Sequence, residues 1–252
     1  MATTNETTAT ILAELHCHTQ FFGWQHFSRR RLNSFLSRAR CLGVKALAFT
    51  EHANIKNYWK LFAFLEDSAW QREGVTILTG AEITVQEGGD ILVYGSPSAF
   101  KELPDRLGGW PAGRVRPPLE RLLEAAEALD LMKVGAHPLR PRQSLLNIPR
   151  ELLRRLDALE INARETGRNR EVTALAAELR LPLVAGSDAH FSWHLGRVLN
   201  RLPGWVKDMP TLRQAVRSGQ VEILRHNEIV CPRQTADLDA PSNYARQPVL
   251  NK

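Results

Sequence analysis

Short apolar runs along this chain end repeatedly in histidine, aspartate or glutamate, and this recurrence constrains the fold more than any other feature. The first run leads into His16-Cys17-His18. On an extended strand His16 and His18 point to one face, whereas Cys17 points to the other. Two imidazoles on one face form half of a metal site, so the rest of the chain decides whether the site is complete.

Four later runs, at 45–50, 75–80, 131–136 and 183–187, end in the same way. The candidate ligands that follow them are His52, Glu82, His137, Asp188 and His190. Near-continuous apolar runs are typical of buried parallel strands, and helical spacing between them favours βα units. In a β/α barrel the active site lies at the carboxyl ends of the strands. The five strand ends therefore predict one shared metal cluster, and imidazole with carboxylate suits zinc, manganese or iron.

The length of 252 residues suits one α/β barrel. We expect a flexible tail over 1–10, a single barrel over 11–231, and an extended or disordered polar tail over 232–252. The three cysteines have no paired spacing, which indicates a reducing compartment and a cytoplasmic location. No segment reads as a signal peptide or a membrane span, so no membrane partner is expected.

The formal charge of +6 is spread over scattered arginines. No basic run with interleaved aromatic residues indicates nucleic acid, although such a partner stays open. We interpret Trp24, Trp59, Trp70 and Trp193 as core or loop anchors rather than as a platform for stacking bases. His194 is either a substrate contact or an ordinary residue at a helix start.

The strand-end motifs resemble the PHP domain (polymerase and histidinol phosphatase) family. The matching segments, in the family's order, are 15–19, 50–52, 80–82, 136–138 and 186–190. The resemblance extends from about Ile11 to about Leu199. It implies an α/β fold, a distorted (β/α)7 barrel with the metal site at the C-terminal ends of the strands, and hydrolysis of phosphoesters.

Residue by residue, the resemblance implies two or three divalent ions of zinc, manganese or iron. The implied ligands are His16, His18, His52, Glu82, Asp90, His137, Asp188 and His190. One ion would be held by His16, His18, Glu82 and Asp188, a second by Glu82 and His137, and a third by His52 and His190. Asp90 stands where the family often has histidine, and a carboxylate can replace that ligand. His26 is a further candidate ligand, although it lies out of register with the family's pattern.

The expected chemistry uses a metal-activated water at Asp188, His190 and Glu82, with no side-chain nucleophile. Arg140 and Arg164 lie in loops after strand ends and are hypothesised to bind the substrate phosphate. The leading hypothesis is a phosphatase that hydrolyses a small, anionic phosphomonoester. The alternatives are a phosphodiesterase or nuclease built on the same cluster, and a non-catalytic metal-binding domain.

Overall fold

The structure is a computed structural model that describes residues 9–20, 28–55, 58–67, 74–111 and 115–229. The candidate ligand His26 lies outside these residues, as do 1–8 of the expected N-terminal tail and all of the expected C-terminal tail, 232–252. The first strand begins at Thr10, one residue before the start that we expected for the barrel.

Nine strands and seven α-helices make up the described fold. The strands are β1 (Thr10–Cys17), β2 (Val44–Phe49), β3 (Thr76–Thr84), β4 (Asp90–Gly95), β5 (Met132–Gly135), β6 (Ala158–Asn162), β7 (Leu183–Gly186), β8 (Val198–Pro203) and β9 (Glu222–Arg225). The helices are α1 (Arg29–Cys41), α2 (Tyr58–Asp67), α3 (Pro97–Leu107), α4 (Leu119–Ala128), α5 (Arg150–Leu153), α6 (Asn169–Leu179) and α7 (Met209–Arg217). Among the described residues, none of the helices combines the length and the apolar character needed to cross a bilayer.

All nine strands belong to one sheet, in the order β7-β6-β5-β4-β3-β2-β1-β8-β9. The pairs among β1, β2 and β3 are parallel, as are those among β5, β6 and β7. The expectation of parallel strands is wrong at β4, which runs antiparallel to both neighbours. The cause is the tight turn 85–89, in which the Val85 amide donates to the Gly89 carbonyl, because a parallel return would need a long crossover.

The strands β1 to β7 curl into a nearly closed barrel, which confirms the predicted fold class. At the gap between β7 and β1, the buried side chain of Asn200 joins the two strands. Its Oδ1 accepts a hydrogen bond from the Ala185 amide at 2.7 Å. Its Nδ2 donates to the carbonyls of Ala185 at 2.8 Å and Ala13 at 3.3 Å. One amide from β8 thus satisfies backbone groups that a continuous sheet would have paired.

Apolar side chains fill the barrel interior, so it is a packed core and not a channel. Leu15, Leu92 and Val184 point inward, and α7 closes the N-terminal end with Leu212 and Val216. The helices α2, α3, α4 and α6 cover much of the outer face with a second apolar cluster. Polar residues are therefore left to the two ends of the barrel.

A buried charge cluster fixes α7 beneath the barrel. Asp157, at the start of β6, accepts hydrogen bonds from the Lys133 amide at 2.8 Å, Arg213 Nε at 3.2 Å and Arg217 Nε at 2.9 Å. The Lys133 ammonium lies 3.4 Å from the same carboxylate. Burial would raise the pKa of Asp157, but the charges of Lys133, Arg213 and Arg217 lower it below its ordinary value of 3.8.

We predict that Asp157→Asn lowers the free energy of unfolding by about 3 kcal/mol at pH 7, because it leaves buried cations without their counter-charge. The pKa of Asp157 is lower in the folded state than in the unfolded state, so its ionised carboxylate stabilises the fold at pH values above the ordinary pKa of 3.8. This stabilisation is lost as the pH falls through 3.8 toward the pKa of the folded state. Urea denaturation should therefore show a difference between wild type and variant that shrinks between about pH 5 and pH 3.

The control variant is Glu222→Gln, which breaks an exposed pair with Arg201 and should cost about 0–1 kcal/mol. A difference for Asp157→Asn that does not change with pH would contradict the assigned role of the Asp157 charge.

Candidate metal centre

The predicted ligands meet at the C-terminal ends of the barrel strands. Their nitrogen and oxygen atoms form three groups, and within each group one atom per residue lies within 4.8 Å of the others. The groups are His18, His52 and His190; His16, His18 and Asp188; and Glu82, Asp90 and His137. All eight ligands predicted within the described residues are thus brought together, including Asp90 at the position of the family's histidine.

Glu82 lies in the middle of this centre. Its Oε2 is 2.8 Å from His52 Nδ1, 3.4 Å from His18 Nε2 and 3.7 Å from His16 Nε2. Its Oε1 is 2.9 Å from His137 Nε2. The Glu82 carboxylate therefore faces imidazoles that come from β1 and from the ends of β2 and β5. This arrangement is expected of a carboxylate that bridges two cations.

Asp188 divides its two oxygens between imidazoles and arginines. Its Oδ1 lies 3.4 Å from both His18 Nε2 and His190 Nδ1. Its Oδ2 accepts hydrogen bonds from Arg140 Nη2 at 2.7 Å and from Arg164 Nη1 at 3.4 Å. The two arginines predicted to bind phosphate therefore lie directly beside the centre.

Local backbone geometry turns two of these side chains toward the centre. His137 and Asp188 have φ angles of 27° and 48°, in the left-handed region that residues other than glycine rarely adopt. Two residues before Asp188, Gly186 has no room for a side chain, because a Cβ there would collide with Glu160 and with His16 Cβ. The sequence Gly186-Ser187-Asp188 is thus required by close packing as well as by ligand chemistry.

Glu160 orients the imidazole of His16. Its Oε1 lies 2.6 Å from His16 Nδ1, and its Oε2 accepts hydrogen bonds from the His137 amide at 2.8 Å and from Asn162 Nδ2 at 3.0 Å. When Nδ1 carries the proton donated to Glu160, the lone pair of Nε2 points into the centre.

The sequence did not single out two residues that support the centre. Gln143 Nε2 donates to Asp90 Oδ2 at 2.6 Å, and Glu165 Oε1 accepts from Arg140 Nε at 3.0 Å. Both lie in the loops that also carry the predicted arginines. That shared position in the loops after β5 and β6 is the only sequence signal that could have identified them.

Burial and opposite charge compete at the Glu82 and Asp188 carboxyls and at the His18 imidazole. Burial alone would raise the pKa of the Glu82 and Asp188 carboxyls, yet the surrounding imidazoles hold both well below their ordinary range. Burial lowers the pKa of His18, but the nearby carboxylates of Asp188 and Glu51 outweigh this and raise the pKa to about 9. At His190, burial and the charge of His18 lower the pKa to about 4. The carboxylates therefore require positive charge close by.

The residues present fit divalent cations. Asp90 Oδ1 and His137 Nδ1 are buried without a hydrogen-bond partner among the described residues, which is costly unless another group satisfies them. The Nε2 atoms of His16 and His18 also converge to 3.0 Å, as two nitrogens do when they share one ligand. The mixture of imidazole and carboxylate suits zinc, manganese or iron.

A pocket of about 400 Å³ opens onto the centre. It is lined by His52, Arg140, Gln143, Arg164, Glu165, Asp188 and His190. Its walls combine candidate ligands with two guanidinium groups, so an anion in the pocket would contact both.

Two of the four tryptophans that we interpreted as core or loop anchors lie within the described residues. Trp59 packs against the outer core as expected, but Trp193 is 65% exposed and is not a core residue. It lies on the short 3₁₀ helix Ser192–His194, directly after the candidate ligand His190. Trp24 and Trp70 lie outside the described residues.

Sequence comparison identifies the family. A family model described as the PHP domain matches residues 14–188, and a PHP-associated model matches residues 166–221. The chain belongs to the PHP domain family. The predicted resemblance is thereby confirmed, and the strand-end motifs that carry it are the residues that meet at the centre. A search of curated proteins found no match.

Solved structures with the same fold include PsfC from Pseudomonas syringae, which is 24% identical in sequence and has a TM-score of 0.69. The match covers 90% of this chain and 95% of the PsfC chain. The lesion-specific endonuclease Q from Pyrococcus furiosus is 18% identical with a TM-score of 0.66. It is matched over 85% of this chain, which spans only 58% of the endonuclease. At these identities the likeness establishes the fold alone.

We predict that Glu160→Gln weakens metal binding by about 10- to 100-fold, because the charged acceptor that fixes the His16 ring is lost. Competition with a chromogenic chelator, using manganese or zinc, measures this affinity without any assay of activity. Glu178→Gln, which removes one charge from an exposed pair with Arg150, serves as the matched control and should bind metal like wild type. Equal affinities for all three proteins would show that Glu160 does not support the metal ligand.

Proposed function

We propose that this protein is a metal-dependent phosphoesterase that hydrolyses a small phosphomonoester. The observation that carries the proposal is the convergence of Arg140 and Arg164 on Asp188, at the edge of a buried cluster of histidines and carboxylates. Guanidinium groups beside candidate metal ligands form a site that favours phosphate.

Two or three divalent cations, held by the ligands already named, would supply Lewis acidity and lower the pKa of a bound water. The chain's own residues bind and orient the substrate. Arg140, which is fixed by Glu165 and Asp188, presents its guanidinium to the phosphoryl oxygens. Arg164 is more exposed and can adjust to the leaving alcohol. The pKa of His190 is lowered to about 4 by burial and the charge of His18, which favours at pH 7 the neutral imidazole that a cation would need.

A side-chain nucleophile is not part of the proposal. Cys17 is the cysteine closest in sequence to the ligands, but its Sγ donates to the Ala48 carbonyl at 3.2 Å on the face opposite His16 and His18. Burial raises the pKa of its thiol well above the ordinary value, so no thiolate forms near neutral pH. Water is therefore the nucleophile that this arrangement favours.

Two arginines and a pocket of about 400 Å³ favour a monoester, because a terminal phosphate carries more charge than a diester and needs less space. A phosphodiesterase or nuclease is the second candidate. It is supported by the shared fold with endonuclease Q, a structure of which holds a 27-mer duplex with an abasic lesion at the active site.

The test loads the protein with manganese or zinc and compares p-nitrophenyl phosphate with bis-p-nitrophenyl phosphate. We expect turnover of the monoester to exceed that of the diester. A preference for the diester would favour the second candidate, and metal binding without any turnover would favour a non-catalytic metal-binding domain. Asp188→Ala should abolish both metal binding and turnover, since Asp188 contacts imidazoles and arginines alike. Full activity in Asp188→Ala would overturn the site.

We also predict that Arg164→Ala raises KM for the monoester by about tenfold, because one charged hydrogen bond to phosphate is lost. Metal content, measured by elemental analysis, should stay at the wild-type value. Arg150→Ala removes an arginine from a surface pair far from the centre and should leave KM unchanged. Unchanged KM in Arg164→Ala would exclude Arg164 from phosphate binding.

A further inference from the structure

An exposed indole lies on the short 3₁₀ helix Ser192–His194, which follows the candidate metal ligand His190 in the chain. Trp193 is 65% exposed, which is unusual for the largest apolar side chain. It follows His190 by three residues, and a chain of three residues spans at most about 11 Å. The backbone of Trp193 therefore lies within about 11 Å of the backbone of the candidate ligand His190.

Neighbouring rings hold this indole in a fixed plane. The Phe191 ring stacks on it with centroids 4.5 Å apart and planes 15° apart. The His194 ring meets it edge-on, at 5.8 Å and 75°, and meets Phe191 at 5.7 Å and 89°. Among the described residues, the rings of Phe191 and His194 contact Trp193. The indole is nevertheless 65% exposed, so a ligand can reach much of its surface. Ring packing of this kind restricts the rotamers of the indole, which reduces the entropy lost on binding.

A cation connects this ring cluster to the metal centre. Arg164 Nη1 lies 3.4 Å from Asp188 Oδ2, and the side chain is 53% exposed. Arg164 also influences His194. The pKa of the His194 imidazole is lowered by partial burial and, to a smaller extent, by the positive charges of Arg197 and Arg164. Arg164 therefore contacts Asp188 and also contributes positive charge near His194, and positive charge at both places favours an anionic ligand that carries a flat ring.

We propose that Trp193 is a stacking platform for a nucleobase, and that the substrate is a nucleotide unit whose phosphate is bound by Arg140 and Arg164. This inference rests on the proposed phosphoesterase function and names its substrate class. A nucleobase offers a π-face to the indole, and the sugar links that base to the phosphate. A phosphoester of a saturated alcohol offers no such face. The nucleotide comes either as a free mononucleotide or as the end of a single strand.

The experiment compares adenosine 5′-monophosphate with ribose 5-phosphate, which has the same sugar and phosphate but no base. For the metal-loaded protein we measure the ratio of kcat/KM for the nucleotide to kcat/KM for the sugar phosphate. Stacking on an aromatic side chain is strong enough for Trp193→Ala to lower this ratio by about tenfold. Trp193→Phe keeps a ring and should keep most of the ratio.

Trp205→Ala is the matched control. Trp205 is also exposed, at 38%, but it lies near Thr10 at the start of β1, the opposite end of the strand from His16 and His18. The ratio should stay at the wild-type value in this variant. A short single-stranded oligonucleotide with a terminal phosphate forms a parallel arm. If Trp193→Ala lowers kcat/KM for only the mononucleotide, or for only the oligonucleotide, the affected substrate identifies the source of the nucleotide. Either result supports the platform.

Binding measured without turnover separates this inference from the proposed function. Stacking of adenosine 5′-monophosphate should quench tryptophan fluorescence in wild type and in Trp205→Ala, and much less in Trp193→Ala. If no phosphoester is hydrolysed but this quenching is found, the phosphoesterase fails and the platform stands. If monoesters are hydrolysed with the same ratio in wild type, Trp193→Ala and Trp205→Ala, the platform is overturned and the phosphoesterase stands.

Discussion

The balance between buried carboxylates and imidazoles at the mouth of the barrel is the constraint on which the rest of this structure depends. Glu82 and Asp188 are almost fully buried, and burying an ionised carboxylate without compensation is prohibitive. Imidazoles that arrive from other strand ends provide the compensation. They can do so only because the barrel is packed inside and fastened between β7 and β1 by Asn200. The fold and the centre are therefore not separable.

The two ends of the barrel use charge in opposite ways. At the N-terminal end, Asp157 is saturated by Lys133, Arg213 and Arg217, and the cluster fixes α7 in place. At the C-terminal end, buried polar atoms such as Asp90 Oδ1 and His137 Nδ1 have no hydrogen-bond partner among the described residues. A saturated cluster stabilises a fold, whereas an unsaturated one is prepared for a ligand.

Much of the centre could be predicted because two simple periodicities act together. Alternation along β1 separates His16 and His18 from Cys17, and the barrel brings distant strand ends to one place. The direction of β4 was not predictable from its apolar residues, since parallel and antiparallel buried strands look alike in sequence. It depends instead on the short turn before Asp90.

Other features depend on three-dimensional neighbours that no local pattern records. Asn200 reads as an ordinary polar residue on a strand, and only the gap that it fills reveals its function. The exposure of Trp193 is likewise invisible in sequence, because indoles are usually buried and the interpretation as an anchor followed that rule. The position of Asp90 was foreseeable only by comparison with the family's histidine.

The left-handed backbone at His137 and Asp188 sets the stability of the fold against the geometry of the candidate metal centre. Each such conformation costs on the order of 1 kcal/mol for a residue with a side chain, and glycine would avoid that cost. Glycine at position 188 would also remove a buried charge. Laboratory evolution that selects for heat resistance alone would therefore favour variants that have lost the centre, so any such selection must be paired with a screen for metal binding.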